Sequence, residues 1–178
     1  MNVLVLVGST RPDSFNAQLA EAAIAALPKG TAVERFDRFH ELPFYSDDAD
    51  ANPPAAVAEL REACGRADVL VITTPEYNAS VPGSLKNGID WASRPYADSS
   101  IRGKRVAVLA ASPTAGSAES AREHLVAILS RARAEPLART VGIAAAHEAF
   151  VAGELADAEH TAAVEDLVRE LLSAPVHG

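Results

Sequence analysis

The sequence predicts an α/β domain in which a parallel five-stranded sheet, of strand order 2-1-3-4-5, is covered by helices on both faces. Three observations predict it. Short apolar runs such as Val3-Leu4-Val5-Leu6-Val7 and Val69-Leu70-Val71-Ile72 have the composition of strands buried on both sides. The intervening segments place apolar residues at helical spacing. Strands that alternate with helices are joined by crossovers, which makes neighbouring strands parallel. Right-handed crossovers leave two common doubly wound orders, and five strands with five helices favour this one over its six-stranded alternative.

Taken in order, residues 3–8 form the first strand and 15–27 the first helix, with Leu19, Ala23, Ala26 and Leu27 as its buried stripe. Pro28-Lys29-Gly30 stops that helix. A second strand spans 31–36 and leads into a polar loop, 37–52, which holds Leu42-Pro43-Phe44-Tyr45 and the acids Asp47, Asp48 and Asp50. Those acids read as a solvated loop, because the glycine and terminal glutamate of a calcium loop are missing. Pro53-Pro54 opens a helix over 54–66, since proline suits a first turn. The clearest strand is 69–74, followed by a loop over 75–83 and a helix over about 84–93. A fourth strand spans 103–111, then a loop over 112–117 and a helix over 118–133 that buries Ala121, Leu125, Ile128 and Leu129. A weak fifth strand lies within 135–143. The last helix, about 157–173, carries Val164, Leu167, Val168, Leu171 and Leu172 on one face. The whole is a flavodoxin-like three-layer sandwich, one domain over residues 1–178, without repeats or linkers.

Composition narrows the function. Apolar residues make up 48% of 178, enough for a sizeable core. The net charge of −8 and the lack of any basic stripe argue against nucleic acid and anionic membranes as partners. The apolar N-terminal run is far too short to span a bilayer and has no basic leader, so it reads as a strand. A single cysteine, Cys64, forms no internal disulfide and suits a reducing cytoplasm; its helical surroundings predict a buried structural thiol. Triphosphate loops, dinucleotide fingerprints and serine-hydrolase elbows are absent from the sequence. His40, His124, His147, His160 and His177 are scattered without metal-ligand spacing and read as surface or packing residues. With no side-chain acid or base in evidence, a bound cofactor is the expected source of the chemistry.

In a doubly wound sheet, ligands bind at the carboxyl ends of the strands. Three polar loops fall there: 8–16, 75–83 and 112–117. The first, Gly8-Ser9-Thr10-Arg11-Pro12-Asp13-Ser14-Phe15-Asn16, joins a strand to a helix N-terminus, a geometry that holds phosphate through free N–H groups and the helix dipole. Ser9, Ser14 and Asn16 add neutral hydrogen bonds and Arg11 a charge. A Ser14 that only caps the helix and an Arg11 that lies in water fit the same turn. In the second loop, Pro75 and Pro82 stiffen both ends and Gly83 permits close approach. A planar ligand could lie on Tyr77 with N–H groups of 76–79 at its edge; a rigid strand-to-helix turn is the alternative.

The string Pro75-Glu76-Tyr77-Asn78, followed by Ser80-Val81-Pro82-Gly83-Ser84-Leu85-Lys86-Asn87-Gly88-Ile89-Asp90-Trp91, resembles the signature of the NAD(P)H-dependent FMN reductases, a family of flavin, quinone, chromate and azo-dye reductases. Gly8-Ser9-x-Arg11-x-x-Ser14-x-Asn16 is similar to that family's phosphate loop, and Leu42-Pro43-Phe44-Tyr45 to its loop after the second strand. The likeness runs from residue 3 to about 130. It implies that Ser9, Arg11, Ser14, Phe15 and Asn16 hold the phosphate end of FMN. Pro75, Glu76, Tyr77 and Asn78 would line the isoalloxazine ring, with a third wall from Ser112 to Gly116. For Lys86, Asn87, Asp90 and Trp91, packing at the helix entry explains the motif as well as ligand contact does. The 112–117 loop departs from relatives that have several glycines there, which would narrow the ring pocket.

The resemblance further implies hydride transfer from NADPH or NADH, as co-substrate, to the flavin N5 and then to a small-molecule acceptor. No catalytic side chain and no metal are expected. A cytoplasmic homodimer or homotetramer follows by likeness. The rival is a flavodoxin-type electron carrier that never meets a nicotinamide, although Arg11 and the Glu-Tyr-Asn loop are not its pattern. No arginine pair can be assigned to a 2′-phosphate from the sequence.

Overall fold

A computed structural model of the chain describes residues 1–11 and 13–173; His177 lies outside the described residues. Strand β1 (Asn2–Val7) sits between β2 (Ala32–Phe36) and β3 (Val69–Thr74), parallel to both. Strand β3 pairs in parallel with β4 (Arg105–Ala111). The order is β2-β1-β3-β4-β5, as the element pattern predicts.

The fifth strand is broken, which explains its weak signal. Its first piece, β5 (Glu135–Pro136), pairs with Arg105 and Val106, and its second, β6 (Val141–Ile143), pairs with Leu109, Ala110 and Ala111. Five residue steps along this strand cover three along β4, so two residues loop out between the pieces. Pro136 has no N–H to continue the ladder.

The buried strands alternate as sheet geometry requires. Leu4, Leu6, Leu70, Ile72, Val106 and Val108 pack under α2 (Ala55–Arg66), α3 (Gly83–Ala92) and α4 (Glu119–Arg131). Val3, Val5, Val69, Val71, Ala107 and Leu109 face the other core, which holds α1 (Phe15–Ala25) and α6 (Ala158–Leu172). Cys64 is fully buried in α2, as expected, and burial pushes its thiol up to about 12. The edge strand β2 exposes Ala32 through Arg35, and its charged Glu34 and Arg35 discourage pairing with another chain.

Several expectations shift. Leu27 and Leu172 are only partly buried, because each lies at or beyond its helix end. Ile128 is half-buried rather than buried; it faces the space between α3 and α4. Two 3₁₀ turns (Phe39–Glu41 and Asp47–Ala49) punctuate the polar loop. A short helix α5 (Ala146–Ala149) and a hairpin, β7 (Phe150–Val151) with β8 (Glu154–Leu155), had no sequence prediction. The hairpin seats Phe150 against Phe15, ring centroids 5.8 Å apart. Among the described residues no helix is long and apolar enough to cross a membrane.

Candidate active site

The three loops predicted to converge leave the sheet from the adjacent strands β1, β3 and β4. Their backbones share an unusual property. Eight non-glycine residues among those described have positive φ, and five lie here: Asp13, Asn78, Ala79, Ser117 and Ala118. Left-handed backbone at alanine or serine costs about 1–2 kcal/mol and persists only where the surroundings impose it, a condition that clusters at functional sites. No periodicity or turn motif in the sequence signals it.

The first loop starts at Gly8, whose N–H donates to the Thr73 carbonyl at 2.8 Å. A Cβ on Gly8 would lie 2.8 Å from Leu85 Cδ2 and 2.9 Å from that carbonyl, so only glycine permits the approach. Ser14 caps α1, its Oγ accepting from the Ala17 N–H at 3.0 Å. The N–H groups of Phe15 and Asn16, in the first turn, have no intrahelical acceptor by construction. Ser9 is buried and its Oγ accepts from the Arg11 N–H at 3.3 Å. Arg11 itself is exposed, and its guanidinium makes no ion pair among the described residues.

Asn16 does something the sequence reading did not anticipate. Its side chain is buried; Nδ2 donates to the Ala111 carbonyl at 3.0 Å and Oδ1 accepts from the Ala111 N–H at 2.9 Å. The amide thus ties the first loop to the end of β4, 95 residues away, and a phosphate would meet its backbone rather than its side chain.

In the second loop, Tyr77 and Ser80 exchange backbone bonds of 2.9 and 3.1 Å around Asn78 and Ala79, a type I′ turn. This engages the Tyr77 N–H, so of the four edge donors expected from 76–79 it is not available. The Tyr77 ring is about half exposed, as a surface for a flat ligand requires. The Glu76 carboxylate is engaged at a helix end: its Oε2 accepts from the Ala121 N–H at 3.1 Å, in the first turn of α4. Ser80 Oγ lies 2.8 Å from His124 Nδ1.

In the third loop the Ser112 N–H donates to Ile143 at 2.9 Å, and Ser112 Oγ shares a 2.9 Å bond with Thr114 Oγ1. Pro113 through Gly116 are exposed. Arg122 braces the loop through Ser117 Oγ and carbonyl, and also holds Thr140 Oγ1 at 2.6 Å. At the floor, Thr73 Oγ1 is fully buried without a hydrogen-bonding partner among the described residues.

The motif residues in α3 have a structural task. Asn87 accepts from the Tyr45 N–H at 2.8 Å and donates to the Pro43 carbonyl at 2.9 Å, which Trp91 Nε1 also reaches at 2.8 Å. Lys86 bonds both oxygens of Asp90. The Asn87 and Trp91 contacts fasten the 42–45 loop to α3 and leave Phe44 91% exposed. The Tyr45 hydroxyl donates to Asp47 at 2.5 Å, and that bond holds its phenol above the ordinary value. Asp50 is ion-paired with Arg61.

The model of the NADPH-dependent FMN reductase family matches residues 1–148. The chain belongs to this family. Among FMN reductase relatives, an NAD(P)H-dependent FMN reductase of Pseudomonas aeruginosa is 38% identical over 97% of this chain and 89% of its own length. A 2-hydroxy-1,4-benzoquinone reductase of a Burkholderia species is 42% identical over 70% of this chain and 68% of its own. The flavoenzyme NAD(P)H:(acceptor) oxidoreductase FerB of Paracoccus denitrificans shares the fold with a TM-score of 0.86 and 32% identity, covering 96% of this chain and 94% of that one. The chain is accordingly an NAD(P)H-dependent flavin oxidoreductase, the activity favoured over the carrier alternative.

Proposed function

We propose that the crevice between the three loops holds FMN and that the enzyme passes electrons from a reduced nicotinamide to a small quinone. The observation that carries this reading is that three conformationally constrained loops leave adjacent strands side by side, joined by the Gly8–Thr73 and Asn16–Ala111 bonds, with an exposed guanidinium on the first that makes no ion pair among the described residues. The donor set suits the ligand. Arg11 and the first-turn N–H groups of α1 supply charge and donors for a phosphate, and Ser9 and Ser14 flank them. Tyr77 and the Pro75 and Asn78 backbone would support a planar ring, with Ser112 and Gly116 on the neighbouring loop. The Glu76 carboxylate is engaged by the N-terminus of α4, whose N–H groups offset part of its charge.

When bound, the flavin supplies the hydride-accepting atom and the electron storage. The protein's task is orientation: the Asn16–Ala111 bonds and the Glu76–Ala121 bond hold the loops at set separations. Backbone donors close to the ring stabilise negative charge, an effect worth about 3 kcal/mol per well-placed donor. Quinones as acceptors are supported by relatives named for that activity. Association as a homodimer or homotetramer belongs to the same reading, because a second copy would cover the exposed Phe44 and Tyr77 rings.

Anaerobic addition of NADPH or NADH to the FMN-loaded protein tests the proposal. Bleaching of the flavin, followed by faster reoxidation with benzoquinone than with free FMN, is expected. A protein that binds no FMN, or whose flavin stays oxidised with both nicotinamides, refutes it.

A further inference from the structure

Ser117 and Ala118, at the end of the third loop, are consecutive residues in left-handed backbone, with φ of 47° and 54°. A side chain disfavours that conformation, so something must hold it. Arg122, in the first turn of α4, supplies the hold. Its Nε donates to the Ser117 carbonyl at 3.2 Å, Nη2 to Ser117 Oγ at 3.3 Å and Nη1 to Thr140 Oγ1 at 2.6 Å. All three acceptors are neutral, and the guanidinium makes no ion pair among the described residues. A planar fork with fixed donor directions suits this bridge, whereas a lysine ammonium would supply only a point charge.

The neighbouring strand is shaped around the contact. Thr140 stands in the stretch where the fifth strand is broken, directly before β6. At Gly142 an added Cβ would lie 2.6 Å from the Ser117 carbonyl and 2.8 Å from both Arg122 Nε and Ser117 Oγ, so only glycine leaves room for the brace. The start of the loop is tied to the same segment: besides the Ser112–Ile143 bond, the Ala146 N–H donates to the Ser112 carbonyl at 3.0 Å. Between these ties Ala115 and Gly116 are exposed, and their N–H groups have no acceptor among the described residues.

Resting on the flavin reading above, we propose that Arg122 is a positioning residue of the flavin site. It holds Ser117 and Ala118 left-handed and so presents the Ala115 and Gly116 N–H groups to the ring, where they stabilise the negative charge that reduction brings. The fork acts here, not the charge.

Two measurements on the FMN-loaded protein test this: FMN affinity by fluorescence titration, and the midpoint potential of the bound flavin by equilibration with a reference dye. Arg122→Ala is expected to weaken binding of oxidised FMN about tenfold and of the reduced form about tenfold more, which lowers the potential by about 30 mV for a two-electron couple. Arg122→Lys keeps the charge without the fork and behaves like Arg122→Ala. Adding Ser117→Gly and Ala118→Gly to Arg122→Ala recovers most of both losses, because glycine takes this backbone without the steric penalty. Thr140→Val removes one acceptor, lowers the potential by less, and decides the matter if Arg122→Ala does not fold. Wild-type affinity and potential in Arg122→Ala overturn the proposal and leave the function reading standing. So do wild-type values in Arg122→Lys, which assign the effect to charge, and a glycine pair that recovers nothing. A wild-type protein that binds no FMN refutes the function reading itself.

Discussion

Replacing Asn16 by alanine separates a structural clamp from a phosphate ligand. The buried amide makes two bonds to one residue, of 3.0 and 2.9 Å, and both backbone groups of Ala111 depend on it. Ala111 is itself buried at the end of β4, where water has little access. Leaving a buried donor or acceptor unpaired costs about 1–3 kcal/mol, so losing two gives roughly 2–6 kcal/mol. Urea unfolding of the FMN-free variant reads this as a lower midpoint at unchanged slope. Asn16→Asp keeps an acceptor for the Ala111 N–H but sets a carboxylate against its carbonyl, so it should fall at least as far. Flavin titration below the unfolding transition should change less than stability does. An Asn16→Ala protein with wild-type unfolding and weakened FMN binding would refute the clamp and return the side chain to the phosphate.

Other outcomes follow from single contacts. Arg11→Ala should weaken FMN binding by about 1.5–3 kcal/mol in fluorescence titration and leave the urea midpoint unchanged, since its exposed guanidinium makes no ion pair among the described residues. Gly88→Ala should destabilise by roughly 1–3 kcal/mol, because the added Cβ would lie 2.3 Å from the Phe39 ring; an unchanged thermal midpoint would show that the ring can retreat. Cys64 sets an alkaline limit. Its thiol stays neutral in the fold to about 12 against a reference of 9.0, so between these values the unfolded chain binds fewer protons and stability falls as pH rises. The slope from this group is about 1.4 kcal/mol per pH unit, full stability is present below pH 9, and Cys64→Ala should flatten the decline. Glu76→Ala should cost about 1 kcal/mol through the loss of an acceptor at the N-terminus of α4, read by thermal unfolding.

Local chemistry made most of the architecture legible. Continuous apolar runs mark β1, β3 and β4 because strands buried on both faces tolerate no polar position, and proline or glycine marks the helix boundaries at 28–30 and 53–54. The same runs place the three polar loops at one end of the sheet, and two of those loops carry the family's motifs. The signal fails where a pairing depends on distant partners. The fifth strand reads weakly because its pieces are held by β4 rather than by their own pattern, and the β7–β8 hairpin is too short to show a period.

The roles of individual polar side chains were decided by tertiary contact alone. In the sequence, Asn16 is one more polar residue in a phosphate-like turn; in the fold its amide closes on Ala111. Glu76 belongs to a ring-lining motif, yet its carboxylate serves α4. Arg122 and Thr140 lie on different elements, and only the packing of α4 beside the fifth strand brings them within bonding distance. A side chain's intrinsic chemistry says which bonds it can make. Which of them it does make depends on the neighbours that folding brings within about 3 Å.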